Sequence, residues 1–502
     1  MLSGLGLKKP TEAERRTSDR LVVGGDPFRL RADGSWEQEY NVAWVRAIGM
    51  GIFDVQAVDL LAPDQIGISL EANENHIKYW QNNRMGGIPD YIECKIRSVL
   101  GDNSAYIGFE TPENIWSIVG EISNVAIDLR IHPCRFSRDY LLLVRGHRID
   151  VKAVADAPVI QRELKFSAAC MQLEYLASGD RSSTDPLDAL LALQMSTDSA
   201  LLAADGFVSL ADHSEALSEI ERDHRFLWVK PHPHQSPEDD VVDLVVRIPN
   251  ARLTSMDTYS LLAGGRVRTA VAISSSVLHE ALLFGVEPVA LRPDLSHGLP
   301  IRSEYEVFRL RDVLGPLAAV LNQAGDASGI ILGEEKTLRH LVSVEWSTGS
   351  ASSRSPLKAP ALPGSGTAFS HPDLTTARVA GWHPAEAWGA WTEGLAALDF
   401  AWPDDNPDEI AIQMLVTAFC GDSSQGADVQ FWSAGKLLLD CVLPDNSKNP
   451  VDIFFSVPRP VDTKTAQILI FRKAPKRPLD LGLSLDGRLL GVAVLQFGRA
   501  DF

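Results

Sequence analysis

Residues 269–291 constrain the fold more than any other stretch. A short apolar run, Thr-Ala-Val-Ala-Ile (269–273), meets three serines, Ser274, Ser275 and Ser276. The segment Val-Leu-His-Glu-Ala-Leu-Leu-Phe follows and stops at Gly285, and a second run, Glu287 to Leu291, begins just beyond it. Serine favours the start of a helix and glycine its end. The spacing therefore predicts strand, helix, strand: a βαβ unit with two parallel strands. Parallel strands need a crossover and cover on both faces, so one such unit commits its domain to an α/β architecture.

The same alternation extends in both directions. Between Leu21 and Gly146, apolar runs at Val42–Leu61, Ala105–Phe109, Asn124–Leu129 and Tyr140–Val144 are separated by polar, turn-rich pieces, the pattern of a parallel sheet. Val154 to Asp188 reads as helical connecting material. Ala189–Leu193 and Phe226–Lys230 read as strands, Asp243–Val246 as a further strand, and Tyr259–Leu262 as helix. Residues 347–372 are rich in Ser, Pro, Gly and Ala without apolar period and read as a linker. Beyond it the runs are short and turn-bounded, and five of the chain's eleven tryptophans fall there, so a β-sandwich of jelly-roll type is expected. The expected plan is α/β: a flexible 1–20, a Rossmann-like domain over 21–165, a second over 166–346, a linker at 347–372 and the sandwich at 373–502.

Charge narrows the partners. The 47 Lys+Arg against 66 Asp+Glu leave a net charge of −19, which disfavours a protein that grips nucleic acid by neutralising phosphates. Cys94, Cys134, Cys170, Cys420 and Cys441 are odd in number and widely spaced, with no CxxC or zinc pattern. They read as reduced thiols of a cytoplasmic protein. No signal-like N-terminal core and no apolar run of about 18 residues is found, so no spanning helix is expected. Peripheral attachment to a membrane or an assembly complex stays open.

Chemistry concentrates at strand ends. Trp228-Val229-Lys230-Pro231-His232-Pro233-His234 ends a strand with a cation and two imidazoles, and the prolines fix the backbone around His232. Ligands of open α/β sheets bind at that edge, and such donors suit a nucleotide phosphate. Ser274–Ser276 offer hydroxyls and free N–H groups to the same anion, and Glu280, one turn on, is placed for ribose hydroxyls. Each motif has a plain alternative: a surface turn, an N-cap and a solvated helix residue. The acidic runs Glu238-Asp239-Asp240 and Asp404-Asp405 read as solvated turns, so no metal is expected.

Lys230-Pro-His232-Pro followed by Ser274-Ser-Ser276 and Glu280-Ala-Leu resembles the CMP-sugar-dependent transferases of bacterial surface polysaccharides. Their fold is GT-B, two facing Rossmann-like domains. Two further segments resemble the retaining β-Kdo transferases in particular (Kdo is 3-deoxy-D-manno-octulosonic acid). Leu193-Gln194-x-x-x-Asp198 matches that family's Gly-Gln-x-x-x-Asp strand end, with Leu193 where the family has Gly. Ile107-Gly-Phe-Glu110 and His132-Pro-Cys-Arg135-Phe-x-x-Asp139 match its glutamate-ended strand and His-Pro-x-Arg-Phe segment.

The resemblance implies a cytoplasmic enzyme, at the inner face of the inner membrane or free, that needs no cofactor beyond a CMP-sugar donor. Asp198 would be the nucleophile and Glu110 the acid/base, facing each other across the cleft. Gln194, His132 and Arg135 would contact substrate, Arg135 through the Kdo carboxylate. The acceptor would be a glycan or glycolipid of capsule or lipopolysaccharide. The residues leave alternatives open: Asp198 as a helix cap, Glu110 paired with Arg130 or Arg135, His132–Asp139 as a structural staple. Rival functions are an inverting CMP-sialic acid transferase and a glycan-binding assembly protein with a degenerate transferase domain. Trp388 and Trp391 serve glycan stacking in one reading and the sandwich core in the other.

Overall fold

The computed structural model describes most of residues 20–309 and 359–500; the longest stretches left out inside those spans are 47–56, 149–158, 178–186 and 295–304. The chain divides into two compact units: Met1–Cys170 with Leu202–Gly206 and His297–Thr348, and Met171–Leu201 with Phe207–Ser296 and Gly349–Phe502. Among the described residues no helix is long and apolar enough to cross a membrane.

In the first unit, β1 (Arg20–Gly24), β2 (Ala57–Leu60), β3 (Ser104–Phe109) and β4 (Val125–Ile131) pair in parallel in the order β2-β1-β3-β4. β3 is buried at every position, as a strand covered on both faces must be. The unit's described helices include α1 (His76–Met85), α2 (Asp90–Leu100) and α3 (Glu113–Ile122). α2 buries Ile92, Ile96 and Leu100, one stripe at helical spacing. β5 (Leu141–His147) runs antiparallel to β4, so the sheet is not parallel throughout. The link between them is shorter than the dozen or so residues a parallel crossover requires.

Helix α4 (Gln161–Ala177) leads into the second unit. Its sheet is built from β6 (Asp188–Ala192), β7 (Leu227–Lys230), β8 (Ala251–Leu253), β9 (Val267–Ala272) and β10 (Glu287–Ala290), all parallel, in the order β8-β7-β6-β9-β10. Between them run α5 (Ser214–Asp223), α6 (Asp239–Val246), α7 (Thr258–Ala263) and α8 (Val277–Leu283). The chain builds outward from β6 to β8, then returns to lay β9 on the other side of β6. The strand expected at Asp243–Val246 is the end of helix α6. Val242, Val245 and Val246 are buried at helical spacing, and Asp239 and Asp240 open the helix where carboxylates suit its dipole. Those two acids are thus not a solvated loop.

β11 (Glu306–Arg309) pairs antiparallel with β5, so part of the stretch expected in the second domain completes the first sheet. Phe308, wholly buried, holds it there.

The C-terminal strands are β12 (Arg378–Trp382), β13 (Ala390–Ala401), β14 (Glu409–Ala418), β15 (Ala427–Ser433), β16 (Lys436–Leu443), β17 (Val451–Pro458), β18 (Thr465–Arg472) and β19 (Val492–Arg499). They form a nearly closed antiparallel sheet in the order β16-β15-β18-β13-β19-β14-β17, with β12 on β13. Long β13 pairs with β19 at its start and with β18 along its end, which folds the sheet over one core. Phe400, Phe431, Phe455 and Phe497 fill that core. The stretch expected as linker behaves differently where it is described. Ala361 and Gly364 bridge to Ala401 and Arg499, and Phe369 is wholly buried, so apolar residues among the prolines seal the sheet edge.

This sheet also binds the parallel sheet of its unit. β8 is an edge strand, and the Gln467 side chain of β18 satisfies it: Oε1 accepts from Leu253 N (2.8 Å) and Nε2 donates to Leu253 O (3.1 Å). Arg252 donates to the Thr465 carbonyl at 2.7 Å.

Candidate functional site

In open parallel sheets, ligands enter the crevice at the carboxyl ends of strands where the strand order reverses. In the second unit that point lies between β6 and β9, and the sequence places Leu193-Gln194 and Ile273-Ser274 just beyond their ends. The two are locked together. Gln194 Oε1 accepts from Ser274 N at 2.9 Å, Gln194 Nε2 lies 3.4 Å from Ser274 Oγ, and Ser274 Oγ donates to the Ala200 carbonyl at 2.6 Å. A cavity of about 100 Å³ opens here, lined among others by Leu193, Gln194, Ser196, His232, Glu238 and Ile273. That volume suits one phosphate or one ring, below the 300 Å³ or so of a whole-ligand pocket.

Lys230 ends β7, the strand beside β6, and its carbonyl accepts from Leu193 N at 3.0 Å. Burial lowers its pKa, an effect that Asp257 partly opposes. A cation held under that penalty gains when an anion arrives. Ser275 Oγ accepts from Val277 N at 3.3 Å, and Ser276 is the N-cap residue of the short α8 without a side-chain cap bond. His234 lies outside the described residues.

One sequence expectation changes here, and one alternative left open is met. Glu280 is 1% exposed, and its Oε1 accepts from Tyr259 Oη at 2.8 Å. It is neither a ribose ligand at the edge nor a solvated helix residue, because α8 turns that face into the domain. Asp198 follows β6 in a tight turn. Its Oδ1 accepts from Ala200 N at 2.9 Å and its carbonyl accepts from Leu201 N at 2.9 Å, so the carboxylate caps the turn Ser199–Leu201. Its neighbours Ser196 and Leu201 line the cavity.

In the first unit the order reverses between β1 and β3, and Glu110 stands just past the end of β3. Its φ is 50°, a left-handed conformation that costs a non-glycine residue about 1 kcal/mol. The bond from Glu110 N to the Leu129 carbonyl (2.8 Å) holds it. The charges around it include Arg29 and Arg130. Burial works against the Arg29 cation, but Glu37 and Glu110 outweigh it and its pKa rises. Arg130 does not close an ion pair with Glu110. It bonds Asp128 Oδ2 at 3.1 Å and the Thr111 carbonyl at 3.1 Å.

Asp128, wholly buried, also accepts from Arg145 Nε (3.1 Å) and Thr111 N (2.9 Å), and Arg145 reaches Glu113 at 2.9 Å. The sequence reading missed this network, whose members are spread over Thr111 to Arg145. The local signal was Asp128 between the apolar Ile127 and Leu129, with Arg130 two positions on in the same strand.

His132 follows β4 and is 1% exposed; its Nδ1 accepts from Cys134 N at 3.0 Å, which fixes the turn and matches the structural staple rather than an open substrate contact. Arg135 lies outside the described residues.

No protein-family model and no curated protein matches the sequence. Among solved structures the chain is similar to the β-Kdo 2,7 transferase KpsC of Thermosulfurimonas dismutans, at 12% identity and a TM-score of 0.29, over 60% of this chain and 90% of that one. It is also similar to a family 35 carbohydrate-binding module from an environmental isolate, at 10% identity and a TM-score of 0.15, over 28% of this chain and 83% of that one. The C-terminal family 6 module of LamC from Zobellia galactanivorans gives 12% identity and a TM-score of 0.16, over 24% of this chain and 86% of that one. Likenesses this distant assign no chemistry, which rests on the residues.

Proposed function

We propose that the chain is a glycosyltransferase that takes an acidic sugar, Kdo by preference, from its CMP-activated donor and adds it to a glycan or glycolipid acceptor. The observation that carries this reading is the crevice between β6 and β9. There Gln194 and Ser274 fix the edge of a cavity that His232 also lines, with desolvated Lys230 on the adjoining strand. Hydroxyl, imidazole and ammonium donors at a strand edge suit a phosphodiester anion. Lys230 and His232 would meet its charge where other transferases use a metal.

In the retaining route, Asp198 attacks the anomeric carbon as the bond to phosphate breaks and CMP departs. An acceptor hydroxyl then displaces Asp198 and gives its proton to a general base, the role proposed for Glu110 from the sequence. One observation favours a second reading. The Asp198 carboxylate caps a turn, a structural duty that an inverting CMP-sialic acid transferase would leave undisturbed.

Intact-protein mass spectrometry after incubation with CMP-Kdo, and in parallel with CMP-sialic acid, separates the two. A Kdo-sized adduct on the wild type that is absent from Asp198→Ala, with the variant's melting profile retained, supports the retaining route. CMP release without an adduct favours inversion. No turnover of either donor with any glycan acceptor rejects the transferase reading.

A further inference from the structure

The link between β18 and β19 carries Lys473-Ala-Pro-Lys-Arg-Pro-Leu-Asp-Leu-Gly-Leu-Ser-Leu-Asp486, with leucine at every second position from 479 to 485. A strand with that pattern would bury its leucines. Here the segment forms no strand, and Leu479, Leu481, Leu483 and Leu485 are 49, 43, 57 and 94% exposed. Single exposed leucines are ordinary, but four within seven residues need an occupant.

Three observations identify its chemistry. First, the loop closes on its own backbone. Leu479 N donates to the Asp486 carbonyl, Gly482 N to the Leu479 carbonyl and Leu483 N to the Pro478 carbonyl, at 2.9 to 3.0 Å. These bonds turn part of the backbone inward, whereas strand addition by a protein partner needs an extended edge of open backbone groups. Second, the apolar side chains are aliphatic. Protein hot spots favour Trp, Tyr and Arg over Leu, while leucine is among the residues that enter bilayers most readily. Third, exposed cations and a tryptophan stand at the root. Lys473 and Arg477 are exposed, against one exposed carboxylate, Asp480, within the leucine run. Arg488 bonds Asp486 at 2.8 Å and Glu386 at 3.1 Å, and Glu386 accepts from the indole N–H of Trp388 at 2.9 Å. Trp388 is 41% exposed, and tryptophan with basic residues is the usual border of an inserted apolar segment.

We infer that this loop is a membrane-docking element that seats Leu479, Leu481, Leu483 and Leu485 in the outer part of a lipid bilayer. The partner is the lipid surface itself; the leucines supply affinity, and Lys473 and Arg477 add attraction to anionic headgroups. The inference does not depend on the donor or the reaction proposed above.

Flotation of the full chain with vesicles of phosphatidylethanolamine and phosphatidylglycerol tests it. The wild type floats, and the triple variant Leu481→Ser, Leu483→Ser, Leu485→Ser partitions at least tenfold less, with unchanged circular dichroism. Raised salt removes only part of the wild-type binding, because burial of leucine is not screened. Trp388 emission shifts to the blue on vesicle addition, and Trp388→Phe abolishes that shift. Equal flotation of wild type and variant, or no wild-type flotation, overturns the inference. A wild-type oligomer that the same substitutions dissociate, without vesicle binding, assigns the loop to contact between copies and equally overturns it.

Discussion

The two α/β sheets reverse their strand order at comparable points, yet treat charge there in opposite ways. At the edge of the first, Asp128, Arg130, Arg145 and Glu113 satisfy one another, and burial is compensated within the protein. At the edge of the second, hydroxyl and amide groups fix the backbone, and Lys230 remains a cation at a disadvantage. A topological crevice is therefore only a place. It becomes a receptive site when its polar groups are left with something to gain, and the second edge meets that condition better.

The comparison breaks most visibly at Asp128. Asp128→Ala leaves the Arg145 side chain, 4% exposed, without its buried partner. The cost is about 3–5 kcal/mol, and the first unit should melt well below the second in differential scanning calorimetry. A single transition at the wild-type temperature would show that the network contributes no net stability.

A half-buried carboxyl outside both edges sharpens it. Burial raises the Asp399 pKa to about 6 from 3.8, against a hydrogen bond from Gln467 and the attraction of Arg252. A carboxyl with a raised folded pKa binds more protons folded than unfolded between those values. The Asp399 contribution is then most favourable below pH 3.8 and is lost as pH rises through 6. Asp399→Asn keeps an acceptor for Gln467 and should stabilise the second unit by up to about 3 kcal/mol at pH 7. The gain should vanish near pH 4, which urea unfolding at the two pH values would read.

The smallest effect concerns the site itself. Lys230→Met should weaken CMP binding about tenfold, roughly 1.4 kcal/mol, with stability unchanged or higher. Because burial lowers the Lys230 pKa, wild-type affinity should decline at a lower pH than an ordinary lysine would give, and the variant should lack that decline. Calorimetric titration with CMP measures both.

What the sequence disclosed follows from how local each cause is. The βαβ unit at 267–290 is written in adjacent residues, so its apolar runs, serines and glycine could be read directly. The proximity of Gln194 and Ser274 follows once β6 and β9 are neighbours, though only strand order makes them so. The antiparallel return of β11 depends on a partner strand more than a hundred and fifty residues upstream, which no window reveals. The segment at Asp243 misled because Leu-Val-Val looks like a strand when seen without the turn before it; Val242 restores the helical period. Glu280 misled because helix phase, set by burial against Tyr259, decides which way a carboxylate points.

The side-chain amide of Gln467 has a consequence of its own. By taking both the donor and the acceptor of Leu253, it occupies the hydrogen-bonding row that an edge strand otherwise offers to a second chain. The tail is thus a stopper as well as an appendage. A chain cut in the expected linker would release a raw sheet margin, and its fate would be self-association rather than a smaller soluble domain.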